Sequence, residues 1–163
     1  MTLFKSKPND SIGSSGELEY LLRERISTQW IAFLQAFSAE MQSQLTPQEY
    51  RQLLHSMGQR MAESLAIGQH DTVEELEAAI NQRFEGMQWG YAKLIDSGTS
   101  LNIEHHFSPL SIALSLDSET AGGLLEGIYE HWFRIAGAEA DLGMKQLPGT
   151  ATDSVLHYQF GRH

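Results

Sequence analysis

The most reactive-looking residues of the 163-residue sequence stand together as Glu104-His105-His106. Imidazole nitrogens and carboxylates are zinc ligands, so this cluster could belong to a metal site completed by His131 or His157. We expect the three residues to lie on a strand, however, where adjacent side chains point to opposite faces and cannot easily share one ion. The pattern therefore favours a partly exposed strand end, and we predict no metal site.

Other patterns that could support catalysis have simpler structural interpretations. The glutamates of segment 74–77 fall in the first turns of a predicted helix, where the helix dipole favours carboxylates. No serine stands in a nucleophile-elbow sequence. The glycine-rich segment 122–127 lacks the GxGxxG spacing and the preceding strand of a phosphate-binding loop. Gly123 and Gly127 instead predict a close approach of one helix to the sheet or to a neighbouring subunit. We expect no catalytic residue and no cofactor.

Trp89 and Tyr91 could form a stacking platform for a sugar ring. Pyranose rings present C–H groups to aromatic planes, and on a strand over residues 88–95 the two side chains would share one face. Aromatic residues on a strand that faces a helical layer are more often part of the core. We therefore predict that Trp89 and Tyr91 belong to the packed face of the sheet, with sugar stacking as the alternative.

The first part of the chain carries helical periodicity. Between residues 18 and 41 the apolar residues recur every three or four positions, and Ser27-Thr28 can divide this segment into two helices because both residues favour caps. The segment Thr46-Pro47-Gln48-Glu49 is a capping box with proline at the first helical position. It predicts a helix that runs to about Leu65.

Two hairpins separated by a helix are predicted for the rest. Segment 71–74 begins a further helix, which Gly86 would end. Residues 88–107 alternate in hydrophobicity around the turn signal DSGT and predict a β-hairpin. A helix over about 118–135 and a second hairpin over 143–160 follow. The predicted fold class is α+β: N-terminal helices, then a β-hairpin, a helix and a C-terminal β-hairpin, with both hairpins forming one antiparallel sheet packed by helices.

Composition and charge restrict the domain organisation and the classes of partner. The polar segment 1–16 predicts a flexible N-terminal arm, and residues 17–163 have the length of a single α+β domain. A net charge of −10 disfavours nucleic acid and anionic membrane surfaces. No segment approaches the roughly 20 apolar residues that span a bilayer. The N-terminus has no apolar signal region, so we expect a cytoplasmic location, with the periplasm as the alternative.

Three segments in order along the chain resemble the bacterial family of cellulose synthase D subunits, also called cellulose synthase operon protein D. They are FLQAFSAE at 33–40, QWGYAKL at 88–94 and LEGIYEHW at 125–132, and the similarity extends over residues 28–160. The resemblance implies structural or interface roles for the residues in or beside these motifs, namely Phe33, Trp89, Gly90, Tyr91, Gly123, Gly127, Tyr129 and Trp132.

The resemblance also implies a function. Members of that family are non-catalytic accessory subunits of bacterial cellulose biosynthesis that form a cylindrical octamer, a tetramer of dimers. The octamer organises synthase complexes, is proposed to guide nascent β-1,4-glucan chains during export, and promotes crystalline cellulose. The implied partners are further copies of the chain, the cellulose synthase complex, a proline-rich accessory protein of the same operon and β-1,4-glucan. The family's N-terminal residues line the passages, which implies glucan contacts for Lys5, Ser6, Lys7 and Asn9.

The large apolar residues favour a self-assembling protein, whereas a cavity would favour a small-molecule-binding module. Trp30, Trp132 and Phe133 exceed the apolar residues that one small domain needs and predict isologous interfaces between copies. A cavity between the helices and the sheet would instead indicate a small-molecule-binding module. A metal-dependent hydrolase around His105 and His106 is the last alternative.

Overall fold

The computed structural model describes residues 13–152 and 154–162. The elements in chain order are α1 (Gly13–Glu24), α2 (Thr28–Gln44), α3 (Pro47–Ser64), α4 (Val73–Met87), β1 (Tyr91–Asp96), β2 (Leu101–His106), α5 (Leu110–Leu114), α6 (Ser118–Ile135), β3 (Gly143–Gln146) and β4 (Val155–Gly161). This order confirms the predicted α+β class. Of the predicted arm, residues 1–12 lie outside the described residues and 13–16 belong to α1, so the division into arm and domain stays a prediction.

The four strands form one antiparallel sheet in the order β1-β2-β4-β3. Each hairpin pairs its own strands, and β2 joins β4 through a six-residue register from Leu101 opposite Phe160 to His106 opposite Val155. The prediction that the two hairpins combine into one sheet is confirmed.

The predicted helix starts are confirmed by their hydrogen bonds. The Thr46 hydroxyl accepts from the Glu49 backbone N–H at 3.3 Å, and the Glu49 carboxylate accepts from the Thr46 N–H at 2.8 Å. Thr72 caps α4 and Asp117 caps α6 through side-chain oxygens that accept from backbone N–H groups. The chain also divides at Ser27, one residue before α2, although the Ser27 side chain makes no capping hydrogen bond. Such caps satisfy N–H groups that would otherwise lack a partner at the helix start.

The end of α4 differs from the prediction. The helix passes Gly86 and ends at Met87, and Gln88 takes the left-handed conformation at φ 58°. The N–H groups of Gln88 and Trp89 donate to the carbonyl oxygens of Glu85 and Phe84, which is the Schellman arrangement of a helix end. Strand β1 therefore begins only at Tyr91, and Trp89 lies outside the sheet.

Helix α6 occupies the centre of the fold, between α3 and the sheet. Eleven of its 18 residues are buried, among them Tyr129, Trp132 and Phe133. A Cβ atom at Gly127 would overlap the His55 carbonyl of α3, so the close approach predicted for this glycine is to α3, not to the sheet or to a second copy. Since Trp132 and Phe133 are enclosed by their own chain, the prediction that they form interfaces between copies is wrong.

Candidate functional site

The imidazole of His105 is buried and fully hydrogen-bonded. Its Nε2 lies 2.8 Å from the Trp89 carbonyl oxygen, and its Nδ1 lies 2.6 Å from the Tyr129 hydroxyl. Because a carbonyl oxygen can only accept, Nε2 carries the proton and Nδ1 accepts from the tyrosine. Burial raises the pKa of Tyr129 well above its ordinary value, which keeps this hydroxyl protonated. His105 thus joins the segment before β1 to α6.

His105 and His106 point to opposite faces of β2, as the strand geometry predicts. The His106 Nε2 lies 3.2 Å from the Glu104 carboxylate on the outer face, whereas both His105 nitrogens are engaged inside. Among residues 13–152 and 154–162, no group of three or more His, Cys, Asp or Glu side chains could hold a metal ion. In this structure His105 hydrogen-bonds inside the fold, and His106 pairs with Glu104 on the outer face.

Burial lowers the pKa of His105 from 6.5 to about 4, opposed by the hydrogen bond to Trp89 and assisted by His106. Above pH 6.5 the imidazole is neutral in both the folded and the unfolded chain, so its burial does not lower the free energy of unfolding. Between pH 6.5 and 4 the unfolded chain binds an additional proton, and the free energy of unfolding falls by up to about 1.4 kcal/mol per pH unit.

We expect acidification from pH 7 to 4 to remove about 3 kcal/mol of stability through His105 alone. Urea unfolding followed by circular dichroism at several pH values should show a shallower pH dependence for His105→Gln, whose amide stays neutral. The matched control is His157→Gln, which leaves the buried His105 imidazole in place, so the loss of stability through His105 should persist in it. Identical pH dependence in wild type and His105→Gln would contradict this assignment.

The segment from Gln88 to Tyr91 forms a bend that only glycine permits at position 90. Gly90 has φ 82°, and a Cβ atom there would overlap the His106 carbonyl oxygen. Beyond the bend, Ala92 is buried while Tyr91 remains 39% exposed. The prediction that Trp89 and Tyr91 occupy the packed face of the sheet is therefore wrong: Trp89 precedes the strand, and the inward face of β1 carries Ala92.

Tyr91 borders an open groove of about 730 Å³. The groove is formed where the end of α1, the last turns of α4 and the start of the first hairpin meet. Its lining includes Arg25, Asn81, Glu85, Gln88, Tyr91 and Phe107. Here the sequence pattern predicted a sugar platform as the alternative, and the structure leaves an aromatic ring accessible beside polar side chains.

A second concavity of about 330 Å³ lies among the helices. Its walls are mostly apolar and include Phe37 of α2, Met57 and Met61 of α3, Trp89 and Leu114. None of its described lining residues belongs to a strand. It therefore differs from the predicted cavity between helices and sheet.

Helix α2 presents an exposed aromatic face, formed by Trp30, Phe33 and Phe37. Trp30 and Phe33 are 54% and 57% exposed, with their ring centroids 5.8 Å apart, and Phe37 stacks on Phe33 at 6.4 Å. Among the 17 residues of α2, all of which the structure describes, Ser38 alone is buried. Contiguous exposed apolar patches of this kind usually mark interaction sites.

Comparison with protein families decides the identity. A family model for the D subunit of cellulose synthase matches residues 16–159. The chain belongs to the cellulose synthase D-subunit family. The D subunit is an accessory component of cellulose biosynthesis, and membership implies association with the cellulose synthase complex. No curated protein matches the chain.

Some of the residues in or beside the D-subunit motifs are buried, and others are accessible at the surface. Gly123, Gly127, Tyr129 and Trp132 are buried in the fold, whereas Phe33 and Tyr91 are exposed and Trp89 is half-buried. The residues for which the family resemblance implied glucan contacts, namely Lys5, Ser6, Lys7 and Asn9, lie outside the described residues. No helix in the described part of this cellulose synthase family member is long and apolar enough to cross a membrane.

Sequence reasoning missed the polar side of the groove in this D-subunit chain. Asn81 and Glu85 are four residues apart on α4, so they share a face that leads to Gln88 at the helix end. That spacing was the available signal. Arg25 is separated from them by more than fifty residues, and no local pattern connects it to the groove.

Proposed function

We propose that this protein is a non-catalytic scaffold of bacterial cellulose biosynthesis, which self-assembles into an octamer built as a tetramer of dimers. The octamer organises synthase complexes on the cytoplasmic side, with the periplasm as the alternative, and guides nascent β-1,4-glucan chains so that crystalline cellulose forms. A proline-rich protein of the same operon is a further proposed partner. Family membership supports the cellulose role, and the aromatic face of α2 carries the proposal of self-assembly.

The aromatic face has the composition of an interface core. Aromatic residues are enriched at the centres of protein interfaces, where they contribute large buried areas and become hot spots. Full burial of a large apolar side chain contributes about 1.5–3 kcal/mol. In an isologous interface Trp30 and Phe33 would each be buried twice, once per copy. Two exposed aromatic rings on one helix are therefore a substantial driving force for a dimer.

Disruption of the aromatic face should dissociate the assembly. For the double variant Trp30→Ser/Phe33→Ser we expect at least about a 30-fold weaker association, since hot-spot truncations cost roughly 2 kcal/mol or more. Light scattering after size-exclusion chromatography measures this across a dilution series. The matched control is Ile135→Ser, which changes an exposed apolar residue at the end of α6. Restoration of cellulose yield in a host that lacks the protein tests the functional consequence.

Two outcomes would contradict the scaffold proposal. One is a wild-type protein that remains monomeric at micromolar concentration. The other is a double variant that assembles like the wild type and restores cellulose yield fully. A circular dichroism melting curve establishes in each case that the variant is folded.

The cavity among the helices supports a second candidate function, the binding of an apolar small molecule. Its lining includes Phe37, which also belongs to the aromatic face of α2. A ligand in the cavity and a second copy on α2 would therefore influence each other. A monomer that carries a stoichiometric apolar molecule in native mass spectrometry would favour this candidate over the scaffold.

A further inference from the structure

The groove beside Tyr91 presents an aromatic ring in a fixed orientation. The ring stacks on the His106 imidazole with centroids 4.7 Å apart and planes inclined by 8°. Because His106 covers one face, only the other face of the ring is left for stacking, on a residue that is 39% exposed. Phe107 lies at 6.0 Å and supports the ring from the side. A ring held in this way is a pre-ordered stacking surface.

Three planar polar side chains line the same groove as the Tyr91 ring. In the part of the chain that the structure describes, the side chains of Arg25, Glu85 and Gln88 form no hydrogen bond or ion pair, although all three line the groove. Together they offer guanidinium and amide donors and carboxylate and amide acceptors. Both donors and acceptors are thus available within one groove, which suits a ligand that carries hydroxyl groups.

The backbone around the groove is held in uncommon conformations. Three non-glycine residues of the described chain have positive φ, and two of them, Gln88 at 58° and Phe107 at 60°, line this groove. The helix end accounts for Gln88. Phe107 is a bulky residue for which this conformation is unfavourable, and its N–H is held by the Ser154 carbonyl at 2.8 Å. Such residues concentrate at binding sites.

The edge of the sheet beside the groove is closed to an incoming peptide strand. The outward N–H and C=O of Ala92 are already bonded to the Asn81 side chain at 2.7 and 2.9 Å, and the Leu94 N–H donates to Glu77 at 2.6 Å. Addition of a β-strand needs these groups free. The net charge of −10 also disfavours polyanions. A neutral ring with C–H faces and hydroxyl edges satisfies both conditions.

We propose that this groove is a binding subsite for a β-1,4-glucan chain, in which Tyr91 stacks on one glucose ring and Arg25, Glu85 and Gln88 hydrogen-bond its hydroxyls. The proposal rests on the proposed function, which makes nascent glucan the polymer that the assembled protein meets. It assigns glucan contact to the folded domain, separately from the contacts implied for Lys5, Ser6, Lys7 and Asn9.

Calorimetric titration of the full-length assembled protein with cellohexaose tests the subsite. Tyr91→Ala should weaken binding by about tenfold or more, whereas Tyr91→Phe keeps the stacking ring and should remain close to the wild type. The matched control is Ile95→Ala, which alters another exposed residue of β1, one that does not line the groove. Maltohexaose, whose α-linked chain is not flat, should bind more weakly than cellohexaose to the wild type.

The outcomes separate this inference from the scaffold proposal. An assembled wild-type protein that does not bind cellohexaose overturns the subsite and leaves the scaffold intact. Wild-type affinity in Tyr91→Ala, with binding lost when Lys5, Ser6, Lys7 and Asn9 are all changed to alanine, also overturns it. Undiminished cellulose yield in a host that lacks the protein overturns the proposed function instead, whatever the titration shows.

Discussion

Replacement of Trp132 by alanine should lower the free energy of unfolding by about 3–5 kcal/mol. The indole is fully buried and packs edge-on against Phe84 at 5.4 Å and Tyr129 at 6.5 Å. Its Nε1–H donates to the carbonyl oxygen of Leu65 at 3.0 Å, where α3 ends. The substitution leaves a cavity between α4 and α6 and removes the partner of a backbone carbonyl, and both effects are destabilising.

Trp30→Ala is the matched control, because the same chemical change is made on an exposed helical surface. Its effect on the unfolding of the dissociated chain should stay within about 0.5 kcal/mol. Urea unfolding at several protein concentrations separates chain stability from assembly, since association makes apparent stability depend on concentration. Comparable losses of chain stability in the two variants would contradict the assignment of Trp132 to the core and Trp30 to the surface.

The elements of the fold could be predicted because their signals are local. Thr46 and Glu49 are three residues apart, and their reciprocal hydrogen bonds need nothing from the rest of the chain. The same holds for Asp117 at the start of α6. The strands followed from alternation on both sides of a short turn, which restricts the pairing register. Local geometry was therefore enough to predict the order of these elements.

The buried side of each helix and strand could not be predicted in the same way. Trp30 and Trp132 stand in similar helical patterns, yet one is exposed and the other is fully buried against α3 and α4. In β1 a difference of one position decides which residues point inward, so the assignment of Tyr91 to the core was wrong although the alternation was correct. Burial depends on which elements meet, and that information is not local.

The set of residues that forms the candidate groove could not be predicted from the sequence for the same reason. Tyr91 could be predicted from its residue type as part of a sugar platform, but its partners were assigned incorrectly. Trp89 lines the helical cavity, while Glu85 and Arg25 line the groove of Tyr91 only because the hairpin folds back on α4 beside the end of α1. The individual residue type was informative. The constellation required the tertiary structure.

Gly127→Ala should destabilise the fold by about 3 kcal/mol, at the upper end of overpacking effects. A methyl group at Gly127 would meet the His55 carbonyl of α3, which is backbone in a helix and cannot rotate away. The matched control is Gly86→Ala in α4, where a Cβ meets no described atom within 4 Å. There the gain in helix propensity should stabilise the protein by about 0.5–1 kcal/mol. Urea unfolding should thus give changes of opposite sign.

A double substitution shows whether both glycines serve one helix crossing. Gly58 of α3 approaches the Leu124 carbonyl of α6 as closely as Gly127 approaches His55, so both define the separation of the same two helices. Once Gly127→Ala has forced the helices apart, Gly58→Ala meets less obstruction, and the pair should cost less than the sum of the single substitutions. Strictly additive costs would mean that the two glycines act independently and that α3 and α6 do not move as rigid units.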